Sequence, residues 1–174
     1  MEVRDYNGEG IWTAGQIIAR YHTYAVKFGV VPRDVWPSVH KSGGVRWVSP
    51  VMERVIEGIE AQDVACAQIG VEFIEEDRGF VFGAILKSNT ARALRRCKVL
   101  TEEQIDRIRR RIVGLYATGI VPREFAQYLK LIRRVGAGNY WSQIVAAEPR
   151  NYFAQRARAF FLSRFDCDGR AAPD

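Results

Sequence analysis

Arginine dominates the chemistry this sequence can offer. Of 26 basic residues, 21 are arginine and 5 are lysine. Nine of them recur at helical spacing: Arg92, Arg95 and Arg96, then Arg107, Arg110 and Arg111, then Lys130, Arg133 and Arg134. A guanidinium forks onto phosphate oxygens and stacks on flat rings more readily than an ammonium does. Three basic stretches in succession therefore suit a polyphosphate backbone, where each neutralised phosphate releases counterions. The charge distribution agrees. Residues 1–86 hold 8 Lys and Arg against 12 Asp and Glu, a net −4, whereas residues 87–134 hold 13 against 4, a net +9. A solvated helix face would also explain such a block, and a GC-rich or thermophilic genome would also favour arginine.

Other chemistry is sparse. His22 and His40 both lie in the first 40 residues, away from any serine or cysteine arrangement that would make a nucleophile and base. Cys66, Cys97 and Cys167 are far apart and form no Cys-x-x-Cys pair, so neither a metal site nor a disulfide is expected. Glu72, Glu75, Glu76 and Asp77 form an acidic cluster that could hold a cation or supply paired carboxylates, although a solvated turn explains it as well. Gly136-Ala137-Gly138 comes after a helical pattern rather than a strand, which is the wrong context for cradling a phosphate. The residues therefore point to no enzyme, no cofactor, no metal and no small-molecule substrate.

The elements that must carry the arginines read as helices. Thr101 with Gln104 resembles a capping box, and Ile105, Ile108, Ile112 and Leu115 form an apolar stripe behind it, with Arg107, Arg110 and Arg111 opposite and Arg109 on the flank. Pro122 begins the next helix, whose core face is Phe125, Tyr128, Leu129, Ile132 and Val135, and the Gly136-Ala137-Gly138 run ends it. Phe153, Ala157, Phe160, Phe161 and Phe165 then give an aromatic-faced helix. Upstream, helices are expected from Ile11 to Phe28, briefly from Pro32, from Ser49-Pro50 to about Ile69, and from Thr90 to Val99. Residues 1–10 read as an arm or turn, and Val45–Pro50 as extended. Two β-prone runs about Asp77-Arg78-Gly79 suit a hairpin over residues 71–86, with a helix interrupted by Gly79 as the competing reading.

The fold class implied is mainly α: a helical bundle with an extended N-terminal helical arm and one short β-hairpin near residues 71–86. The domains expected are an N-terminal arm with helices over residues 1–50 and a bundle over 51–174. At 174 residues with 48% hydrophobic and 26% charged, the chain has an ordinary globular composition. It lacks an 18-residue apolar run, and its opening lacks the basic and apolar regions of a secretory signal. One internal echo links Tyr24-Ala25 through Gly29-Val30-Val31-Pro32-Arg33 to Tyr116-Ala117 through Gly119-Ile120-Val121-Pro122-Arg123. Either a degenerate duplication or recurring turn chemistry would produce it.

The stretch from Ala117-Thr118-Gly119-Ile120-Val121-Pro122-Arg123 through Arg133-Arg134-Val135-Gly136-Ala137-Gly138 to Ile144-Val145-Ala146, with Tyr152-Phe153 and Phe160-Phe161 beyond it, resembles the C-terminal half of major coat proteins of filamentous and rod-shaped archaeal double-stranded DNA viruses (rudiviruses, lipothrixviruses and tristromaviruses). The resemblance implies an α-helical virion capsid subunit, assembled in the host cytoplasm, that dimerises with itself or a paralogous coat subunit. It would wrap linear double-stranded DNA, held in A-form, into a helical filament without reading its sequence. The chain departs from that pattern in its hairpin and in a basic surplus that lies centrally rather than at the N-terminus. A second resemblance covers Ile112 to Leu129, which looks like the helix-turn-helix of regulators and transposases. In that reading Arg123, Gln127 and Lys130 approach bases and phosphates in the major groove.

Overall fold

In the computed structural model, which describes residues 2–172, the chain is mainly helical, with eight α-helices and one three-stranded sheet among the described residues. It divides into two compact units, Met1–Leu100 and Thr101–Asp174. The boundary between the units falls at Leu100 and Thr101. Strand β1 (Glu2–Asp5) pairs in parallel with β3 (Val45–Val48), which pairs antiparallel with β2 (Val39–Ser42). Helix α1 (Ala14–Phe28) buries Ile17, Ile18, Tyr21 and Ala25 and packs on α3 (Val64–Glu75). The N-terminal segment is thus part of the first unit.

The sheet lies where the sequence suggests an arm or turn at residues 1–10 and an extended stretch from Val45. Gly43 and Gly44 take φ of 56° and 78°, the two left-handed positions that a tight two-residue hairpin demands. The helix expected from Pro32 does not form. Residues 30–38 run without regular structure, and the Asp34 carboxylate accepts from the Trp36 N–H at 2.8 Å, a local turn that competes with a helical start.

The hairpin expected over residues 71–86 is corrected to helix, loop, helix. α3 continues to Glu75, residues 76–82 form no regular element, and α4 spans Gly83–Arg96. Gly70, which reads in sequence as a stop, is a packing residue: a Cβ there would sit 2.6 Å from Ile59 Cδ1 and 3.2 Å from Thr90 Cγ2, so its bare backbone lets helices approach closely. The single helix expected from Ser49 to Ile69 is two. α2 covers Val51–Glu60, Gln62 takes a φ of 66°, and Asp63 caps α3 by accepting from Ala65 and Cys66 N–H at 2.8 and 3.1 Å.

A buried polar chain fixes α1 to that cap. The Tyr21 hydroxyl donates to Asp63 Oδ2 and accepts from the Arg33 N–H, each at 2.8 Å. Burial first, and the Asp63 carboxylate beside it, push the Tyr21 phenol up to about 12, so it stays a donor across the physiological range. Burial likewise raises the thiols of Cys66 and Cys97, which remain protonated and unreactive.

Candidate nucleic-acid interface

The Thr101–Asp174 unit is built on α5 (Glu102–Thr118) and α6 (Phe125–Val135), with the short α7 (Trp141–Ala146) and α8 (Tyr152–Arg164) after them. The expected capping box is present: Thr101 Oγ1 accepts from the Gln104 N–H at 3.2 Å, and Gln104 Oε1 accepts from the Thr101 N–H at 3.0 Å. Ile108, Ile112, Val113, Leu115 and Tyr116 are buried behind it. α5 ends at Gly119, whose φ of 75° lets the Ile120 N–H reach back to the Leu115 carbonyl at 2.9 Å. α1 ends the same way, with Gly29 at φ 65° and Val30 N–H on Ala25 O at 2.9 Å. The sequence echo is therefore shared helix-ending chemistry. Beyond the glycine the two copies diverge, since only the second leads into a helix.

α6 begins at Phe125, one turn after Pro122, and buries Phe125, Tyr128, Leu131 and Ile132. On its outer side lie Gln127, Lys130 and Arg134, which fall within about 60° of arc at 3.6 residues per turn. Arg123 is exposed in the turn just ahead. Lys130, Arg134 and Arg123 are exposed, and among the described residues no carboxylate pairs with them. Three cations on or beside one helix face, left unneutralised by the chain, form a surface ready for an external anion.

The other residues of the expected set are differently placed. Arg92, Arg95 and Arg96 lie on α4, in the Met1–Leu100 unit, so the nine do not share one compact body. Arg92 donates to Asn89 Oδ1 at 3.2 Å, and Arg96 pairs with Glu60 at 3.5 Å. Arg110 is bound to Asp106 at 2.6 Å, and the Tyr140 hydroxyl, 3.1 Å from Asp106 Oδ1, closes the group. Arg107, Arg111 and Arg133 are half-buried.

Arg109, which the sequence places only on a flank, has a structural task. Its Nε donates to the Gly136 carbonyl at 2.9 Å and its Nη2 to the Val135 carbonyl at 2.5 Å, supplying donors to the orphan C-terminus of α6. Gly138, at φ 54°, lies against the same guanidinium; a Cβ there would be 3.1 Å from Arg109 Cζ. The Arg-Arg-Val-Gly-Ala-Gly run thus has a local purpose: Gly138 makes room for a clamping arginine from α5. Arg109→Ala should strip both carbonyls of their donor and cost about 1–3 kcal/mol. Hydrogen exchange read over Ala137–Trp141 should speed up relative to α5, and unchanged exchange would show that the clamp is dispensable.

Two acids of the cluster, Glu72 and Glu76, are engaged within the first unit. Glu72 accepts from Arg20 Nη1 and the Tyr24 hydroxyl, each at 2.5 Å, and from Gln68 Nε2 at 3.0 Å. Glu76 accepts from Trp12 Nε1 and Arg78 Nη2, each at 2.7 Å, and the Arg20 guanidinium lies over the Trp12 ring at 4.6 Å. These carboxylates pin the 76–82 loop and α1 to α3. The Arg78 hydrogen bond, outweighing the opposing effect of burial, lowers Glu76 from 4.5 to about 2. A depressed carboxyl stabilises the fold fully above its unfolded pKa and loses that contribution as pH falls through the folded value. Stability should therefore drop by about 1 kcal/mol between pH 4.5 and 2, allowing for solvent screening by the exposed Arg78. Glu76→Gln should flatten that part of a urea-melt pH profile, and an unchanged profile would assign the dependence elsewhere.

Among the described residues no group of three or more His, Cys, Asp or Glu is placed to hold a metal ion, and no helix is long and apolar enough to cross a membrane. Comparison with family models, with curated proteins and with solved structures returns no match.

Proposed function

We propose that this protein binds double-stranded DNA through the outer face of α6 and acts as a structural coat subunit, packing linear duplex into a helical filament rather than catalysing a reaction. The observation that carries the DNA part is the exposed set Arg123, Lys130 and Arg134, unpaired by any described acid, in a unit where α5 and α6 hold the basic surplus. The coat part rests on the resemblance of residues 117–161 to archaeal virus coat proteins. That resemblance implies a partner copy or paralogue, a helical bundle as the assembling body, and residence in the virion after assembly in the host cytoplasm. The Arg133–Gly138 run within that stretch is partly explained by the Arg109 clamp.

A second reading, a helix-turn-helix regulator, is favoured by one observation: α5, the Gly119 turn and α6 succeed one another as such a unit does, with Gln127 among the cations of the second helix. Electron microscopy of the protein with linear duplex separates the two. Regular filaments at saturating protein, with affinity that falls steeply with salt and is indifferent to sequence, support the coat subunit. Particles at isolated sites with tenfold discrimination support the regulator, and no retention of duplex at about 50 mM salt overturns both.

A further inference from the structure

On the side of α6 next to its cationic face, the Thr101–Asp174 unit leaves an apolar groove of about 540 Å³ between α6 and α8. Its floor is Phe125, Leu129, Ala157 and Phe160, and Phe153 stands along it with 61% of its surface exposed. Arg123 and Arg156 line its edges. No acidic residue lines the groove, and neither arginine is paired with a carboxylate among the described residues. The aromatic face expected of α8 is thereby split: Phe161 and Phe165 turn inward against Tyr116 and Trp141, while Phe153 is left outside.

We infer that this groove is a docking site for an amphipathic helix with acidic flanks, supplied by a different protein. One wall is the turn at Val121–Arg123 followed by the first turn of α6 as far as Leu129, and the other runs along α8 from Phe153 to Phe160, about two helical turns. That length matches apolar anchors at i, i+3 or i+4, and i+7 of a docked helix. Exposed aromatic surface beside the buried Phe125 and Ala157, with Leu129 and Phe160 only half-buried, is the pattern of an anchor pocket rather than of a finished core. The two unpaired guanidiniums select the flanks: carboxylates along the partner's edges meet Arg123 on one side and Arg156 on the other, whereas lysine flanks are repelled. The inference does not depend on DNA binding: Arg123 belongs to both surfaces, but Phe153, Phe160 and Arg156 lie on α8 and Lys130 and Arg134 do not line the groove.

The test uses the full chain and a fluorescein-labelled designed helix of about 15 residues, with leucines at the anchor spacing and glutamates on both flanks. Matched peptides carry lysine flanks, or serines in place of the leucines. The glutamate-flanked peptide should bind at least tenfold tighter than either. Phe153→Ser, an exposed position, should lose that binding tenfold or more while leaving the circular dichroism melt unchanged, and Arg123→Glu with Arg156→Glu should reverse the preference to the lysine-flanked peptide. Equal binding of the serine peptide would mean that acids are merely attracted to the cationic face, and would overturn the inference. So would capture of laurate without any response to the peptide, which would assign the groove to a small amphiphile. Concentration-dependent self-association abolished by Phe153→Ser, without peptide binding, would assign it to a second copy and equally overturn the inference. DNA retention by Phe153→Ser is measured in parallel, so that loss of the proposed function and loss of the docking site are read separately.

Discussion

Replacing Gly58 by alanine is expected to lower the stability of the Met1–Leu100 unit by about 2 kcal/mol. A Cβ at Gly58 would stand 2.2 Å from Cys66 Sγ and 2.9 Å from Cys66 Cβ. Cys66 has nowhere to retreat, since it is fully buried and its N–H is held by Asp63 Oδ1 at the cap of α3. Arg33 Cδ closes the other side at 3.4 Å. Overpacking at such a site costs about 1–3 kcal/mol or more, and the better helix propensity of alanine returns at most about 1 kcal/mol. For a unit of this size the thermal midpoint should fall by on the order of 10 °C. Gly15, in α1 with open space around its Cα, is the control: Gly15→Ala meets nothing within 4 Å and should be neutral or slightly stabilising. Cys66→Ala in the Gly58→Ala background should recover part of the loss by removing the sulfur, a coupling that neighbours show and distant sites do not. A Gly58→Ala melt matching that of Gly15→Ala would mean that α2 and α3 separate freely.

The same close approach explains why the first unit is harder to read from sequence than the second. A glycine inside a helix looks in sequence like a stop, as Gly70 does. Only the neighbours Ile59 and Thr90, 11 residues before and 20 after, show that it is there for packing. The parallel pairing of β1 with β3 joins Glu2 to Val45, a separation that no local pattern encodes. The β2–β3 hairpin does carry a local signal, the two-residue turn Ser42-Gly43-Gly44-Val45. Its strands, Val39–Ser42 and Val45–Val48, obscure that signal because they are short and carry lysine, histidine and arginine. In the second unit the determinants are local and therefore readable. Thr101 and Gln104 lie three residues apart, Gly119 ends its own helix, and the apolar stripe of α5 needs no distant partner to be seen. The exposed cationic set is half legible. Helical spacing finds Lys130 and Arg134 but not Arg123 in the turn, and it does not tell a cation already held, as Arg110 is by Asp106, from one left over, as Arg134 is.

That distinction sets the expectation for DNA binding. If α6 carries the phosphate contacts, Lys130→Gln with Arg134→Gln should weaken binding of a random-sequence duplex by about 100-fold at about 0.1 M salt and reduce the slope of log affinity against log salt by about 1.8. Each phosphate contact contributes a slope of about 0.9 through counterion release, and therefore roughly a factor of ten at that concentration. Neither side chain is buried or paired, so the double variant should melt like the parent and the loss can be assigned to the interface. Arg110→Gln is the matched comparison. It removes a cation whose charge is already offset by Asp106, so its effect should stay within about threefold. Arg92→Gln with Arg95→Gln tests the arginines of the first unit, which the sequence counts equally with the rest. An effect as large as that of the α6 pair would place the contact surface on α4 as well and remove the case for α6 as the principal grip, whereas a small effect with an unchanged salt slope would confine the phosphate contacts to the Thr101–Asp174 unit.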